Sequence, residues 1–205
     1  MSSMSDPDFD ARYAEAGWAY GTEPNDFLRA SARHIPPGGR VLCLAEGQGR
    51  NAVFLAAAGH TVTAVDRSAP GLARAQGLAA ERNVAIETRL VDLAEYDVGL
   101  GQWEGIVAIF AHLPPALRRR VHQSVVAGLR PGGVFILDAY SPAQLQRTTG
   151  GPRSPELLMT VAALREELTG LDLLVAQEID REVIEGKYHT GRASVVQVLA
   201  RKPVG

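Results

Sequence analysis

Val41-Leu42-Cys43-Leu44-Ala45-Glu46-Gly47-Gln48-Gly49-Arg50-Asn51 decides the fold of this 205-residue chain. An apolar run enters a pair of glycines, and a helix-forming run, Asn51 to Ala58, follows at once. Glycine at such a junction adopts positive φ at little cost and lets backbone approach a ligand closely. The helix that follows presents free N–H groups and the positive end of its dipole. Nineteen residues after Gly47, the run Thr61-Val62-Thr63-Ala64-Val65 ends in Asp66. A glycine turn with a strand-end acid about 20 residues later is a nucleoside-cofactor arrangement, the acid bonding ribose hydroxyls.

Outward from this stretch the pattern alternates. Strands are expected at 40–45, 61–65, 85–91, 104–109 and 133–139, and helices at 50–58, 69–82 and 115–129. The strands are continuous apolar runs, as sheets covered on both faces require. Strand–helix alternation means right-handed crossovers and a parallel sheet. After Tyr140 the rhythm changes. Ser141 to Pro155 holds three prolines and the pair Gly150-Gly151, a loop long enough to read as functional. A helix is expected from about Thr160 to Leu168. The last two strands, Leu171 to Ile184 and Ala193 to Ala200, have only Glu185 to Arg192 between them and read as an antiparallel hairpin. At the other end, residues 1–8 read as disordered, Phe9 to Gly17 as a short helix, and Trp18 to Pro24 as an aromatic loop. Asn25 reads as the cap of a helix reaching His34. The whole, 1–205, reads as one domain: a helical lid over 1–35 and a cofactor-binding core over 36–201.

Composition narrows the function. At 46% hydrophobic the chain supports one sizeable core, and its net charge of −2 gives a nucleic-acid partner little electrostatic help. The one basic run, Arg118-Arg119-Arg120, reads as a solvated helix face. Cys43 is the only cysteine, so no intramolecular disulfide framework or Cys-rich zinc site is open to the chain. The polar N-terminus is not a signal peptide, and no apolar run reaches membrane-spanning length. A cytoplasmic enzyme acting on a small molecule, as monomer or homodimer, without membrane or metal, is the expectation.

Gly47-x-Gly49-x-x-Ala52 satisfies the dinucleotide pattern in its Ala-ended form, so nicotinamide-dependent oxidation stays open as an alternative. No Tyr-x-x-x-Lys pair accompanies it. Glu46 places a carboxylate at the turn, where pyrophosphate is disfavoured and an ammonium or sulfonium is favoured. Asp92 follows the third strand, and the sheet closes with a hairpin rather than another crossover.

Asp66, Asp92 and Leu129-Arg130-Pro131-Gly132-Gly133-Val134 resemble the class I S-adenosylmethionine-dependent methyltransferases over about residues 36 to 201. A narrower resemblance covers nearly the whole chain. Tyr20-Gly21-Thr22-Glu23-Pro24-Asn25-Asp26-Phe27-Leu28, Ala45 to Asn51, His112-Leu113-Pro114, Gly150-Gly151-Pro152 and Tyr188-His189 are similar to the small tellurite-resistance-like methyltransferases, relatives of thiopurine-methylating enzymes. The resemblance implies an α/β, doubly wound, mostly parallel seven-stranded sheet with an antiparallel C-terminal hairpin. It also implies S-adenosyl-L-methionine as cofactor, S-adenosyl-L-homocysteine as product, and a metalloid oxyanion or thiol as acceptor. Cys43 stands where the family usually has an acid and Ala45 where it has glycine, with Glu46 positioned to supply the charge.

The cofactor is expected against Glu46, Gly47, Gly49, Arg50, Asn51, Asp66, Arg67, Asp92, Leu93 and Phe110, with Tyr13, Trp18, Tyr20 and Gly21 closing over it. His112 follows the fourth strand, at the strand ends where doubly wound sheets hold ligands. With Tyr188 and His189 it forms the catalytic set. Arg147, Arg153 and Arg192 are candidates to attract an anionic acceptor, although each also reads as a solvated side chain. A cofactor-binding module without catalysis is the remaining alternative.

Overall fold

The computed structural model describes residues 8–204. All but the last residue of the stretch expected to be disordered, 1–8, therefore falls outside the described residues. The chain runs α1 (Phe9–Ala14), α2 (Asp26–Ser31), β1 (Arg40–Leu44), α3 (Arg50–Ala57), β2 (Thr61–Asp66), α4 (Ala69–Glu81), β3 (Glu87–Leu90), β4 (Trp103–Ile109), α5 (Pro115–Gly128), β5 (Leu129–Tyr140), α6 (Val161–Glu167), β6 (Asp172–Glu185) and β7 (His189–Arg201). The strands form one seven-stranded sheet in the order β3-β2-β1-β4-β5-β7-β6. The first five are parallel, and β7 runs antiparallel to both β5 and β6. This is the expected doubly wound sheet with its closing hairpin. Among the described residues no helix is long and apolar enough to cross a membrane.

Both faces of the sheet are covered, which explains the continuous apolar runs. Successive residues of a strand point to opposite faces. Along β1, Val41 and Cys43 enter one core cluster with Leu55 and Leu78 of α3 and α4. Leu42 and Leu44 enter the other, with Val125 of α5 and Leu164 of α6. Helix starts are capped as their sequences suggest. Asn25 Oδ1 accepts the Leu28 N–H, Ser68 Oγ the Gly71 N–H and Thr160 Oγ1 the Ala163 N–H.

Two expectations are corrected. The Glu185–Arg192 link is shorter still than expected, because the β6–β7 ladder continues through Val183↔Gly191 and Ile184↔Thr190 to Glu185↔His189. The polar character of this segment masks the burial of Glu185 and His189. Arg118 is no solvated residue either. It is 5% exposed, and its guanidinium grips both oxygens of Glu167 on α6.

Candidate active site

A cleft of about 400 Å³ opens at the carboxyl ends of the parallel strands. One end is built on the glycine turn. Gly47 has φ 60° and Gly49 φ 88°, both in the left-handed region that disfavours a side chain. Space enforces the same choice. A Cβ on Gly47 would lie 2.5 Å from Tyr13 Oη, and one on Gly49 the same distance from Ala75 Cβ on α4. Asp66, the last residue of β2, braces the turn. Its Oδ2 accepts the Gly47 N–H at 2.8 Å and its Oδ1 the Ser68 N–H at 2.8 Å. Burial raises its carboxyl above the ordinary range, while those two N–H groups pull it back.

Glu46 lies between these elements. Gly49, the N-cap of α3, has no side chain to offer. Glu46 Oε1 instead accepts the N–H groups of Asn51 at 2.9 Å and Ala52 at 2.8 Å. Burial pushes this carboxyl up to about 7. Helix α1 closes over the turn. Tyr13 is buried against Gly47 and Gly71, and its neighbour Arg12 donates to Tyr20 Oη at 2.7 Å and stacks over Tyr188 at 4.2 Å. The buried carboxylates at a tight glycine turn, under a tyrosine face, fit a ligand carrying ribose hydroxyls and a cationic amino acid portion.

The other end is a box of rings. Phe110 has φ 54°, uncommon outside glycine, and its N–H donates to Asp138 O at 2.7 Å. Its ring centre lies 4.7 Å from Tyr140 and 4.6 Å from His189. Tyr20 lies 4.4 Å from His189, and His112 stacks on Tyr140 at 5.6 Å. The Gly150-Gly151 loop lies flat against Tyr140, where a Cβ on Gly151 would come within 2.7 Å of the ring.

The two cleft histidines differ. His112 uses both nitrogens on backbone: Nδ1 pairs with Leu157 O at 3.0 Å, and Nε2 accepts the Tyr140 N–H at 3.4 Å. Burial pushes its pKa down to about 4. His189 is buried with its Nδ1 unpartnered. Burial, then the nearby Arg50 charge, holds its pKa well below the usual value. Both imidazoles are neutral near pH 7.

Of the residues singled out from sequence, Glu46, Arg50, Asn51, Asp66, Arg67, Asp92, Leu93, Phe110, His112, Tyr13, Tyr20, Tyr188 and His189 line the cleft together. Gly47 and Gly49 do not line it; they pack against Tyr13 and Ala75 in the turn that carries Glu46 and Arg50. Trp18 does not line it; it packs with the α3–α4 cluster and lies 5.3 Å from the Arg74 guanidinium. Gly21 does not line it either, and lies instead against Gly186 at the hairpin tip. Asp92 sits beyond β3, its Oδ1 accepting the Ala94 N–H. Arg147, Arg153 and Arg192 are outside the cleft. Arg147 and Arg192 pair with Asp180, and Arg153 donates to Arg147 O. Phe9, Arg12, Leu117 and Leu157 line it without having been singled out. For Phe9 and Arg12 the signal was their spacing beside Tyr13 on a short helix. Leu157 carries none.

A methyltransferase-domain family model matches residues 41–133. A 2-heptyl-1-hydroxyquinolin-4(1H)-one methyltransferase from Mycobacteroides abscessus is 30% identical over 125 residues, which cover 58% of this chain and 55% of that one. This chain thus spans about half the length of that relative. An uncharacterized methyltransferase from Synechocystis is 31% identical over 184 residues, covering 83% of this chain and 80% of the relative. The fold matches a structure solved for the conversion of a disulfide bond into a thioacetal group during echinomycin biosynthesis. That match has a TM-score of 0.76 and 17% identity, covering 96% and 91% of the two chains. TehB from Haemophilus influenzae matches at TM-score 0.69 and 21% identity, covering 85% and 61%. Sheet order, hairpin and these relatives agree: the chain belongs to the class I S-adenosylmethionine-dependent methyltransferases.

Proposed function

We propose that this methyltransferase acts on a small, flat aromatic compound bearing an acidic hydroxyl, and that His189 takes the hydroxyl proton. The observation that carries the reading is Nδ1 of His189, buried among Tyr20, Phe110 and Tyr140 with no hydrogen-bond partner. A buried polar atom without a partner costs about 1–3 kcal/mol, and an acceptor hydroxyl on this imidazole offsets that cost. The relative that acts on a hydroxyquinolinone supports the same substrate class.

The bound cofactor supplies an electrophilic methyl group. The protein's part is to orient the acceptor, exclude water and hold the proton. Phe110, half-buried at the cleft wall and backed by Tyr140, offers a face for a planar ring to stack on. Because His189 is a weak base, the hydroxyl it serves must itself be acidic, such as a phenol or an N-hydroxy group. His112, with both nitrogens on backbone, serves as a wall and fixes Leu157 rather than moving a proton. A metalloid oxyanion calls for cations at the acceptor, yet Arg147, Arg153 and Arg192 lie outside the cleft, Arg50 is paired with Glu185, and Arg12 is engaged by Tyr20 and Tyr188, which leaves Arg67, next to Asp66 on the glycine-turn side. An aliphatic thiol would find the same imidazole but make no use of the ring walls.

Incubation with S-adenosylmethionine and separate acceptors, followed by mass spectrometry, tests this. A gain of one methyl is expected on hydroxyquinolinones or acidic phenols. Methylation of tellurite or of an aliphatic thiol alone would overturn it.

A further inference from the structure

The hairpin tip that carries Tyr188 and His189 is tied to the glycine turn by a buried charge network that crosses four elements. Glu185, paired with His189 across the hairpin, is 5% exposed. Its Oε2 accepts Arg50 Nη2 at 2.6 Å, and Arg50 opens α3 directly after Gly49. Its Oε1 accepts Asn25 Nδ2 at 2.9 Å and Arg181 Nη2 at 3.0 Å. Asn25 and Arg181 also bond Asp138 Oδ2 on β5, at 2.9 and 3.0 Å. The Asn25 N–H donates to Asn51 Oδ1, the second residue of α3. Around this network the tip presses on the N-terminal segment. A Cβ on Gly186 would lie 2.4 Å from Gly21 N, and the Tyr188 N–H donates to Ala19 O.

The segment α3 begins in is also the one whose N–H groups Glu46 holds. A shift at the turn when the cofactor enters therefore reaches the hairpin through the charge-assisted Arg50–Glu185 bond rather than through soft packing. We infer that Glu185 is a positioning residue: it couples occupancy of the glycine turn to the placement of His189 at the acceptor end. The inference rests on the methyltransferase reading of the cleft, since it takes S-adenosylhomocysteine as the ligand of the turn.

Hydrogen exchange of the full chain with and without saturating S-adenosylhomocysteine tests it, saturation being checked by calorimetry. In the wild type, exchange across residues 183–190 is expected to slow by about fivefold or more on binding. In Glu185→Gln, still saturated, the same segment is expected to change by less than about twofold, and Glu185→Asp to recover part of the response. With a verified acceptor, Glu185→Gln is expected to raise the acceptor KM about tenfold and leave the cofactor KM within about twofold. A purely structural Glu185 would lower thermal stability without separating these readouts. Should Glu185→Gln not fold, the double variant Arg50→Met with Glu185→Met removes a matched pair, leaves Asp138 with Arg181, and carries the same exchange expectation. An unresponsive hairpin in the wild type, or an equal response in the variants, overturns the coupling while leaving the cofactor site standing. Failure of the wild type to bind S-adenosylhomocysteine overturns both.

Discussion

Glu46 and Asn51 are joined by a single 2.9 Å hydrogen bond that makes the turn's own acid the cap of the next helix. The same oxygen serves Ala52, so the carboxylate faces the cleft from a helix N-terminus. With burial pushing this group up to about 7, and Asp66 and Arg50 beside it, its charge changes within the working pH range. A cationic ligand group favours the ionised form, so affinity rises as pH climbs through that value and falls below it. S-adenosylhomocysteine is expected to bind about tenfold more weakly at pH 6 than at pH 8, about 1.4 kcal/mol. Calorimetry across that range checks it, and Glu46→Gln is expected to flatten the profile.

Gly47 and Asp66 are expected to fail in different ways. Gly47→Val places a branched side chain at φ 60° and into Tyr13, so both α1 closure and ligand affinity should be lost. Asp66→Ala leaves the turn's geometry to the backbone but strands the Gly47 and Ser68 N–H groups. A loss of about 1–3 kcal/mol in S-adenosylhomocysteine binding, with a folded sheet by circular dichroism, is the expected result.

The histidines separate by kinetics. His189→Ala is expected to lower kcat/KM for a verified acceptor by about a hundredfold or more, with cofactor affinity within about tenfold. His112→Ala should act mainly on stability, since it frees Leu157 O and the Tyr140 N–H. Equal kinetic losses in both variants would return His112 to the chemistry.

Glu167 offers a test of the fold away from the cleft. Burial raises its carboxyl, but hydrogen bonds from His122 and Arg118 more than reverse this and hold it at about 2. A depressed folded pKa contributes stability that is present above the unfolded value of about 4.5 and is lost as pH falls toward 2. Removing one partner of such a buried set, as in Glu167→Ala, is expected to cost about 3–5 kcal/mol in urea unfolding near neutral pH. The difference between wild type and variant is expected to shrink steadily below pH 4.5.

The sheet was legible because each buried strand, such as Val41 to Leu44, feeds two cores at once and so shows no polar alternation. The end of the cleft at the glycine turn was legible because glycine spacing and a strand-end acid brought Glu46, Arg50, Asn51 and Asp66 to one place, as the structure has them. The ring-walled end was only half legible. Tyr188 and His189 sit in a run of polar residues whose burial comes from the N-terminal segment lying on them, a contact between residues far apart in sequence. Arg118 looked solvated for the same reason: Glu167, its partner, lies 49 positions away. Trp18 looked like a lid residue because aromatic composition does not say which side of a loop faces the cleft.

The most direct measurement follows a 13C-labelled methyl from S-adenosylmethionine by NMR in a single turnover with a hydroxyquinolinone acceptor. One new resonance on the acceptor oxygen is expected with the wild type, and none on the same timescale with His189→Ala at saturating cofactor. A label that appears on tellurium, sulfur or a ring carbon instead, or on oxygen at an unchanged rate in His189→Ala, would contradict the proposed chemistry.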